Sequence, residues 1–145
     1  MSTLKQVLSV LLLSVILIII PGSQTNGSFV PSEKNRLKLV MYEELLAEGK
    51  TYKDFKVLYT ICFVESIGFN HYDSSGNVLK GKVNPKDIGI CQINEFYHLK
   101  KSKQLNIDIY KPEGNIEYAV YLYTQNGTKD WSWSKKYWSS MLKKS

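Results

Sequence analysis

Glu65 ends an apolar stretch of the chain, and its position there suggests chemistry. A carboxylate at the end of a buried helix loses hydration, so it either pairs with a cation or keeps its proton near neutral pH. The partial negative charge at a helix C-terminus also disfavours the ionised form. A protonated acid beside a cleft could protonate the leaving oxygen of a glycosidic bond. A glutamate that simply faces water at a helix end is the alternative.

The helix that would position Glu65 is the second of two predicted near the start of the domain. Ser32 is a suitable cap for a first helix that runs to about Glu48, with apolar residues at helical spacing. Thr51 is a suitable cap for the second, from about Tyr52 to Ser66, with Asp54 in its first turn. Because this second helix is apolar almost all round, we expect it to be central and buried.

Glycine and turn residues dominate positions 67–94, where short alternating pieces predict a small hairpin or irregular sheet. A turn is expected at 111–114, and Asn115 is the expected cap of the helix that follows it. Three further helices are expected, over about 95–104, 116–125 and 134–143. The sequence thus predicts an α+β domain, mostly α, with one small β element after the central helix.

Two segments together resemble a known family. Phe63–Asn70 and Asp87–Asn94 resemble the lysozyme-like superfamily, and most closely its soluble lytic transglycosylase (SLT) branch. Members of that branch carry a Glu-Ser pair, a variable loop, and then Gly-Leu-Met-Gln or a close variant. Asn115-Ile116 matches the Asn-Ile that opens a later helix in many members, and Tyr123–Gly127 loosely resembles the Ala-Tyr-Asn-x-Gly segment. The resemblance covers about residues 52–138.

The resemblance implies a lysozyme-like fold and a role for each matching residue. Glu65 would act as catalytic acid and then as base, cleaving the β-1,4 bond between MurNAc and GlcNAc in peptidoglycan without a cofactor. The product of a transglycosylase is 1,6-anhydro-MurNAc. The residues that would bind substrate or support the site are Ser66, Gln92, Asn94 and Tyr123. Ser66 would also support the turn after the helix, and no metal site is implied.

Asp87 leaves the mechanism open. Asp-x-Gly-Ile-x-Gln-Ile-Asn also resembles the segment of animal-type lysozymes that holds their second carboxylate, and two carboxylates permit retaining hydrolysis. The transglycosylase is favoured here. A lysozyme-type muramidase that uses Glu65 with Asp87 is one alternative, and a non-catalytic peptidoglycan-binding protein is another. In the family, the strand of Cys91 packs near the helix end of Cys62, so a disulfide is one expectation and two buried thiols the other.

The remaining aromatic and imidazole side chains carry weaker signals. Large aromatic rings are more often core residues than stacking platforms for sugars. We expect this for most of the aromatic set, which comprises Tyr72, Tyr97, Tyr118, Tyr121, Tyr123, Trp131, Trp133 and Trp138. His71 and His98 have no partner at metal-ligand spacing and are expected at the surface.

Residues 1–28 have the layout of a secretory signal, or of a retained N-terminal membrane anchor, and 29–145 would form the domain. The domain is therefore expected to be exported, periplasmic or extracellular, or anchored facing the cell wall. The net charge of +6 favours polyanionic partners or simply solubility, and no nucleic-acid signature accompanies it. The expected partners are peptidoglycan glycan strands, with membrane contact only through the N-terminal segment and the protein a monomer.

Overall fold

The computed structural model describes residues 32–144. The interpretation of residues 1–28 as a signal or anchor, and the start of the domain at residue 29, lie outside the described residues. Within 32–144, no helix is both long and apolar enough to cross a membrane.

The first two helices begin at the caps that the sequence indicates. Helix α1 spans Glu33–Ala47, and the Ser32 side chain accepts a hydrogen bond from the Asn35 amide. Helix α2 spans Tyr52–Glu65 and begins with a capping box, in which Thr51 and Asp54 bond each other's backbone N–H groups. Such reciprocal bonds satisfy amides that have no partner inside the helix. Both helices are confirmed to within a residue or two.

The β element is smaller than a full hairpin. Strand β1 (Asp87–Ile88) pairs antiparallel with strand β2 (Ile93–Asn94), so that Asp87 lies opposite Asn94. Isolated bridges join Tyr72 to Val78 and Lys80 to Ile88, which ties the preceding loop to β1. The described domain is thus mostly helical with one two-stranded sheet, and the α+β, mostly α class is confirmed.

The second half returns to helices. The elements in order are α3 (Glu95–Gln104), α4 (Pro112–Asn126), a short 3-10 helix (Lys129–Trp131) and α5 (Lys135–Leu142). Helix α1 packs against α4 and α2, and α5 packs against α2. Gly127 ends α4 with a positive φ of 63°, a conformation that glycine adopts easily.

The predicted start of α4 was wrong. The chain becomes helical at Pro112, because proline is already close to helical φ and its missing N–H has no role in the first turn. Asn115 is therefore inside the helix and fully buried rather than a cap. Its amide nitrogen donates to the carbonyls of Ile88 and Ile109 at 3.0 Å, and its oxygen accepts from the Cys91 amide at 2.9 Å. One side chain thus joins α4 to the turn between β1 and β2.

The core contains one covalent link. Cys62 of α2 and Cys91 of the β1–β2 turn form a disulfide, with their Cα atoms 4.2 Å apart. Of the two possibilities for these residues, the structure has the disulfide. A link of this kind holds the C-terminal end of α2 against the β turn.

The surface assignment of His71 was wrong. His71 is buried, and its Nε2 lies 2.9 Å from the Tyr110 carbonyl oxygen. Burial lowers the pKa of this imidazole. His98 is half-buried, with Nδ1 3.3 Å from the Tyr118 hydroxyl. A single sequence gives no sign of these contacts, because each joins residues far apart in the chain.

Candidate active site

An open hollow of about 320 Å³ lies beside the C-terminal end of α2. Its wall combines Glu65 with polar side chains and with the loop that precedes β1. The lining residues are Glu65, Ser66, Ile67, Asn70, Tyr72, Asp73, Ser74, Leu79, Lys80, Gly81, Lys82 and Gln92. Concave sites with a few convergent polar groups are the usual places for ligand binding.

Glu65 has the electrostatic environment of a proton donor. Burial is the largest influence on its carboxyl and raises the pKa. The hydrogen bond from Ser134 acts in the opposite direction, and the negative charge of Asp87 raises the pKa further. The balance is a raised pKa, so the carboxyl retains its proton to a higher pH than an ordinary glutamate. A raised pKa in a cleft is typical of functional carboxyl groups.

Ser134 is the closest polar partner of Glu65, and sequence reasoning missed it. Its Oγ lies 2.5 Å from Glu65 Oε1 and 3.2 Å from the Trp131 carbonyl oxygen. A hydroxyl has one proton and can also accept a bond. It can therefore donate to ionised Glu65, or accept from protonated Glu65 while donating to Trp131. The hydroxyl can serve both protonation states of the acid.

Two tryptophans hold Ser134 in place. The Trp131 indole donates to the Cys91 carbonyl at 2.9 Å, and the Trp138 indole donates to the Trp131 carbonyl at 3.1 Å. Both rings are buried. Since Cys91 is bonded to Cys62 on α2, the segment that carries Ser134 is tied to the helix that carries Glu65.

Ser66 shapes the turn after α2. It is buried, its Oγ donates to the Cys62 carbonyl at 2.8 Å, and the same oxygen accepts from the Asn70 amide at 2.9 Å. The next residue, Ile67, has a positive φ of 50°, which is unusual for a β-branched residue. The Ser66 hydroxyl thus holds a sharp turn at the hollow, while its role in binding substrate stays a prediction.

Gln92 faces the hollow, whereas Asp87 and Asn94 form a pair beside it. Asn94 Nδ2 donates to Asp87 Oδ1 at 2.6 Å, and Asn84 Nδ2 approaches the same oxygen at 3.3 Å. Asn94 also caps α3 through its side-chain oxygen. The described residues that line the hollow include neither Asp87 nor Asn94. Both side chains are occupied in supporting the sheet and the start of α3.

Tyr123 is not among the described residues that line this hollow, and its role in binding substrate stays a prediction. Its hydroxyl donates to Asp54 Oδ1 at 3.0 Å, in the first turn of α2. Asp54 and Glu65 are eleven positions apart on one helix, which corresponds to roughly 16 Å along its axis. Burial, followed by the bond to Asp54, raises the pKa of Tyr123 to about 12.

The aromatic residues are divided between the core and the exposed surface. Tyr118, Trp131 and Trp138 are buried, and Tyr121 and Tyr123 are partly buried against the core, so five of the eight are core residues, as expected for most of the set. Trp133 is 99% exposed and directly precedes Ser134, and Tyr72 lines the hollow itself. An exposed ring can stack on the apolar face of a sugar.

Comparison with known proteins gave no match among family models, curated proteins or solved structures. Within residues 32–144, no group of three or more His, Cys, Asp or Glu side chains is placed to hold a metal ion. The chemistry of the site must therefore be inferred from its own residues.

Proposed function

We propose that this protein cleaves the β-1,4 bond between MurNAc and GlcNAc in peptidoglycan, as a lytic transglycosylase with a lysozyme-like fold. The observation that carries the proposal is Glu65, a carboxyl group with a raised pKa that faces an open polar hollow. General acid catalysis at a glycosidic bond needs a group that is protonated before the reaction and ionised after it.

In the first step, the Glu65 proton moves to the glycosidic oxygen while the bond from that oxygen to the MurNAc C1 breaks. The Glu65 carboxylate then accepts the proton of the 6-hydroxyl of the same MurNAc, while the 6-hydroxyl oxygen forms a bond to C1. The product is an anhydro sugar, and no water is consumed. The Ser134 hydroxyl, 2.5 Å from Glu65 Oε1, stabilises the carboxylate between the two steps.

The environment of Asp87 favours the single-carboxylate mechanism. Its Oδ1 is held by Asn94 and Asn84, outside the group of described residues that line the hollow. One observation favours the muramidase alternative: the negative charge of Asp87 helps to raise the pKa of Glu65. In that case Asp87 would act as nucleophile or stabiliser, and water would complete the reaction.

Binding of the glycan would involve the polar wall and the exposed rings. Gln92 offers amide donors and acceptors for hydroxyl and N-acetyl groups, and Trp133 and Tyr72 offer flat apolar surfaces. Asn94 would contribute indirectly, through Asp87 and the cap of α3. The proposed setting is outside the cytoplasm, because stable disulfides such as Cys62–Cys91 form in oxidising compartments.

The test is mass spectrometry of the fragments released from purified peptidoglycan by the wild-type protein and by Glu65→Gln. Fragments ending in 1,6-anhydro-MurNAc, absent with the variant, would establish the transglycosylase. Reducing-end fragments, one water heavier, would establish the muramidase and give Asp87 a catalytic role. If neither protein released fragments but both pelleted with peptidoglycan, the non-catalytic binder would replace the proposal.

A further inference from the structure

Two lysines stand on the wall of the hollow that holds Glu65. Lys80 and Lys82 belong to the loop before β1, both are exposed, and both line the hollow. Within residues 32–144, neither takes part in a salt bridge. The nearest candidate partner for Lys80 is Glu95, whose pKa it helps to lower, but Glu95 is already bonded to Lys86 and to the Tyr110 hydroxyl.

The acidic residues of the wall do not cancel these charges. Asp73 accepts hydrogen bonds at one carboxylate oxygen from the Ser75 and Asn77 amides, at 2.8 and 3.0 Å. The backbone bond from Asn77 and the other bonds of this turn lower the pKa of Asp73 and favour its ionised form, so its one negative charge offsets only one of the two lysine charges. Burial raises the pKa of Glu65, so its carboxyl keeps its proton to a higher pH than an ordinary glutamate does. With two lysines and one aspartate, the part of the wall that the loop before β1 contributes presents net positive charge to a bound substrate.

The surface depression continues past Lys80. A second hollow of about 530 Å³ is lined by Asp73, Asn77, Val78, Leu79 and Lys80. It shares Asp73, Leu79 and Lys80 with the first hollow, so the two adjoin along this loop. An extended chain whose reacting bond lies at Glu65 could therefore pass beside Lys80 into the second hollow.

We propose that Lys80 and Lys82 bind carboxylates of the peptide stems that branch from the glycan strand. The proposal rests on the proposed function and adds a substrate feature to it. A neutral glycan would give two ammonium groups no partner, whereas peptide stems carry carboxylates on alternate sugars. Lysine suits this role because its flexible ammonium group can follow a mobile carboxylate without a rigid geometry.

The test compares two lysine variants with two forms of the substrate. The variants are Lys80→Gln/Lys82→Gln and, as a matched control, Lys143→Gln/Lys144→Gln, which removes the same charge from an exposed pair at the end of α5. The substrates are peptidoglycan and the same peptidoglycan with its carboxyl groups amidated. Binding is measured by co-sedimentation in a Glu65→Gln background, and kcat/KM in the active protein.

The first variant should bind native peptidoglycan about fivefold to tenfold more weakly than wild type, since two exposed ion pairs contribute about that much. The control variant should bind like wild type. Amidation of the peptidoglycan should weaken binding of the wild-type protein to the level of the first variant. It should leave binding of that variant unchanged. Lys80→Arg/Lys82→Arg should retain most of the binding. kcat/KM should follow the same pattern.

If the variant bound more weakly than wild type by the same factor on native and on amidated peptidoglycan, the proposal would be overturned, because the lysines would then act without the carboxylates. If amidation had no effect but removal of phosphodiester-linked polymers with hydrofluoric acid did, the anion would be phosphate and the carboxylate assignment would be wrong. Failure of the proposed function is separate, because it would show as absent fragments while the binding comparison still decides the role of the lysines.

Discussion

The two ends of helix α2 each hold a carboxyl group, and the pKa values of the two groups are shifted in opposite directions. At the start, the Thr51 backbone N–H and hydroxyl and the Tyr123 hydroxyl donate to Asp54, and the first of these does most to lower its pKa. At the end, burial raises the pKa of Glu65, which has Ser134 as its hydrogen-bond donor.

The helix itself contributes to this difference. Its N-terminus carries a partial positive charge that favours a carboxylate, and its C-terminus a partial negative charge that disfavours one. A carboxylate with three donors at the first position stabilises the helix. A carboxyl with one donor at the second is less stable when ionised, so it retains its proton to a higher pH and still has a proton to transfer to a substrate.

The largest expected effect is on activity. Glu65→Gln should lower kcat/KM on peptidoglycan by about a thousandfold or more, because general acid catalysis contributes about 10²–10⁴. Asp54→Asn, an equivalent change at the other end of the same helix, should retain activity within about twofold. Release of soluble fragments measures both. Comparable losses in the two variants would mean that the contrast between the ends is not functional.

The next effect concerns the disulfide, which fastens only the C-terminal end of α2. Replacing Cys62 and Cys91 with Ala should lower the free energy of unfolding by about 3–4 kcal/mol, as expected for a closed loop of this length. The cysteines are 29 positions apart. Denaturant unfolding measures the change, and reduced wild-type protein is the control. An unchanged midpoint would show that packing alone holds this end.

The stability of the two carboxyl variants should change in opposite directions. Asp54 has a lowered pKa, so its contribution is present above the ordinary aspartate pKa and is lost as pH falls through the folded value. Asp54→Asn should cost about 1 kcal/mol at pH 7, with the difference fading in acid. Thermal unfolding across pH measures it.

Glu65 has a raised pKa, so wild-type stability falls as pH rises from the ordinary glutamate value through the folded value. Glu65→Gln should therefore raise the melting temperature at neutral pH by a few degrees at most, and not in acid. A destabilised Glu65→Gln at neutral pH would contradict the assignment of a desolvated acid.

The smallest effect concerns single hydroxyl groups. The Ser134 bond lowers the pKa of Glu65, so Ser134→Ala should raise it and move the alkaline limb of the kcat/KM profile to higher pH. Activity at the optimum should fall about twofold to tenfold, because one hydrogen bond to a charged group is lost. Tyr123→Phe, which removes the hydroxyl at Asp54, should leave the limb in place. If Tyr123→Phe shifted the alkaline limb instead, the Tyr123 hydroxyl would have to act on the ionisation of Glu65.

The sequence by itself determined the local elements. Ser32, and Thr51 with Asp54, start α1 and α2 as the pattern predicts, because a cap bonds amides only two or three residues away. The almost wholly apolar pattern of α2 indicated its central position, and the sequence placed a carboxyl group, Glu65, at its end. Gly127 ends α4 for an equally local reason.

Only the tertiary structure decided what surrounds the acid. Ser134 reaches Glu65 across 69 positions, Asn115 reaches the Cys91 amide across 24, and His71 is buried under Tyr110 across 39. The tertiary structure also places the Tyr123 hydroxyl at the N-terminal end of α2, on Asp54. Contacts of this kind depend on how helices pack, which no short-range periodicity specifies. Because the pKa of Glu65 depends on burial and on such neighbours, its chemistry is a property of the folded chain.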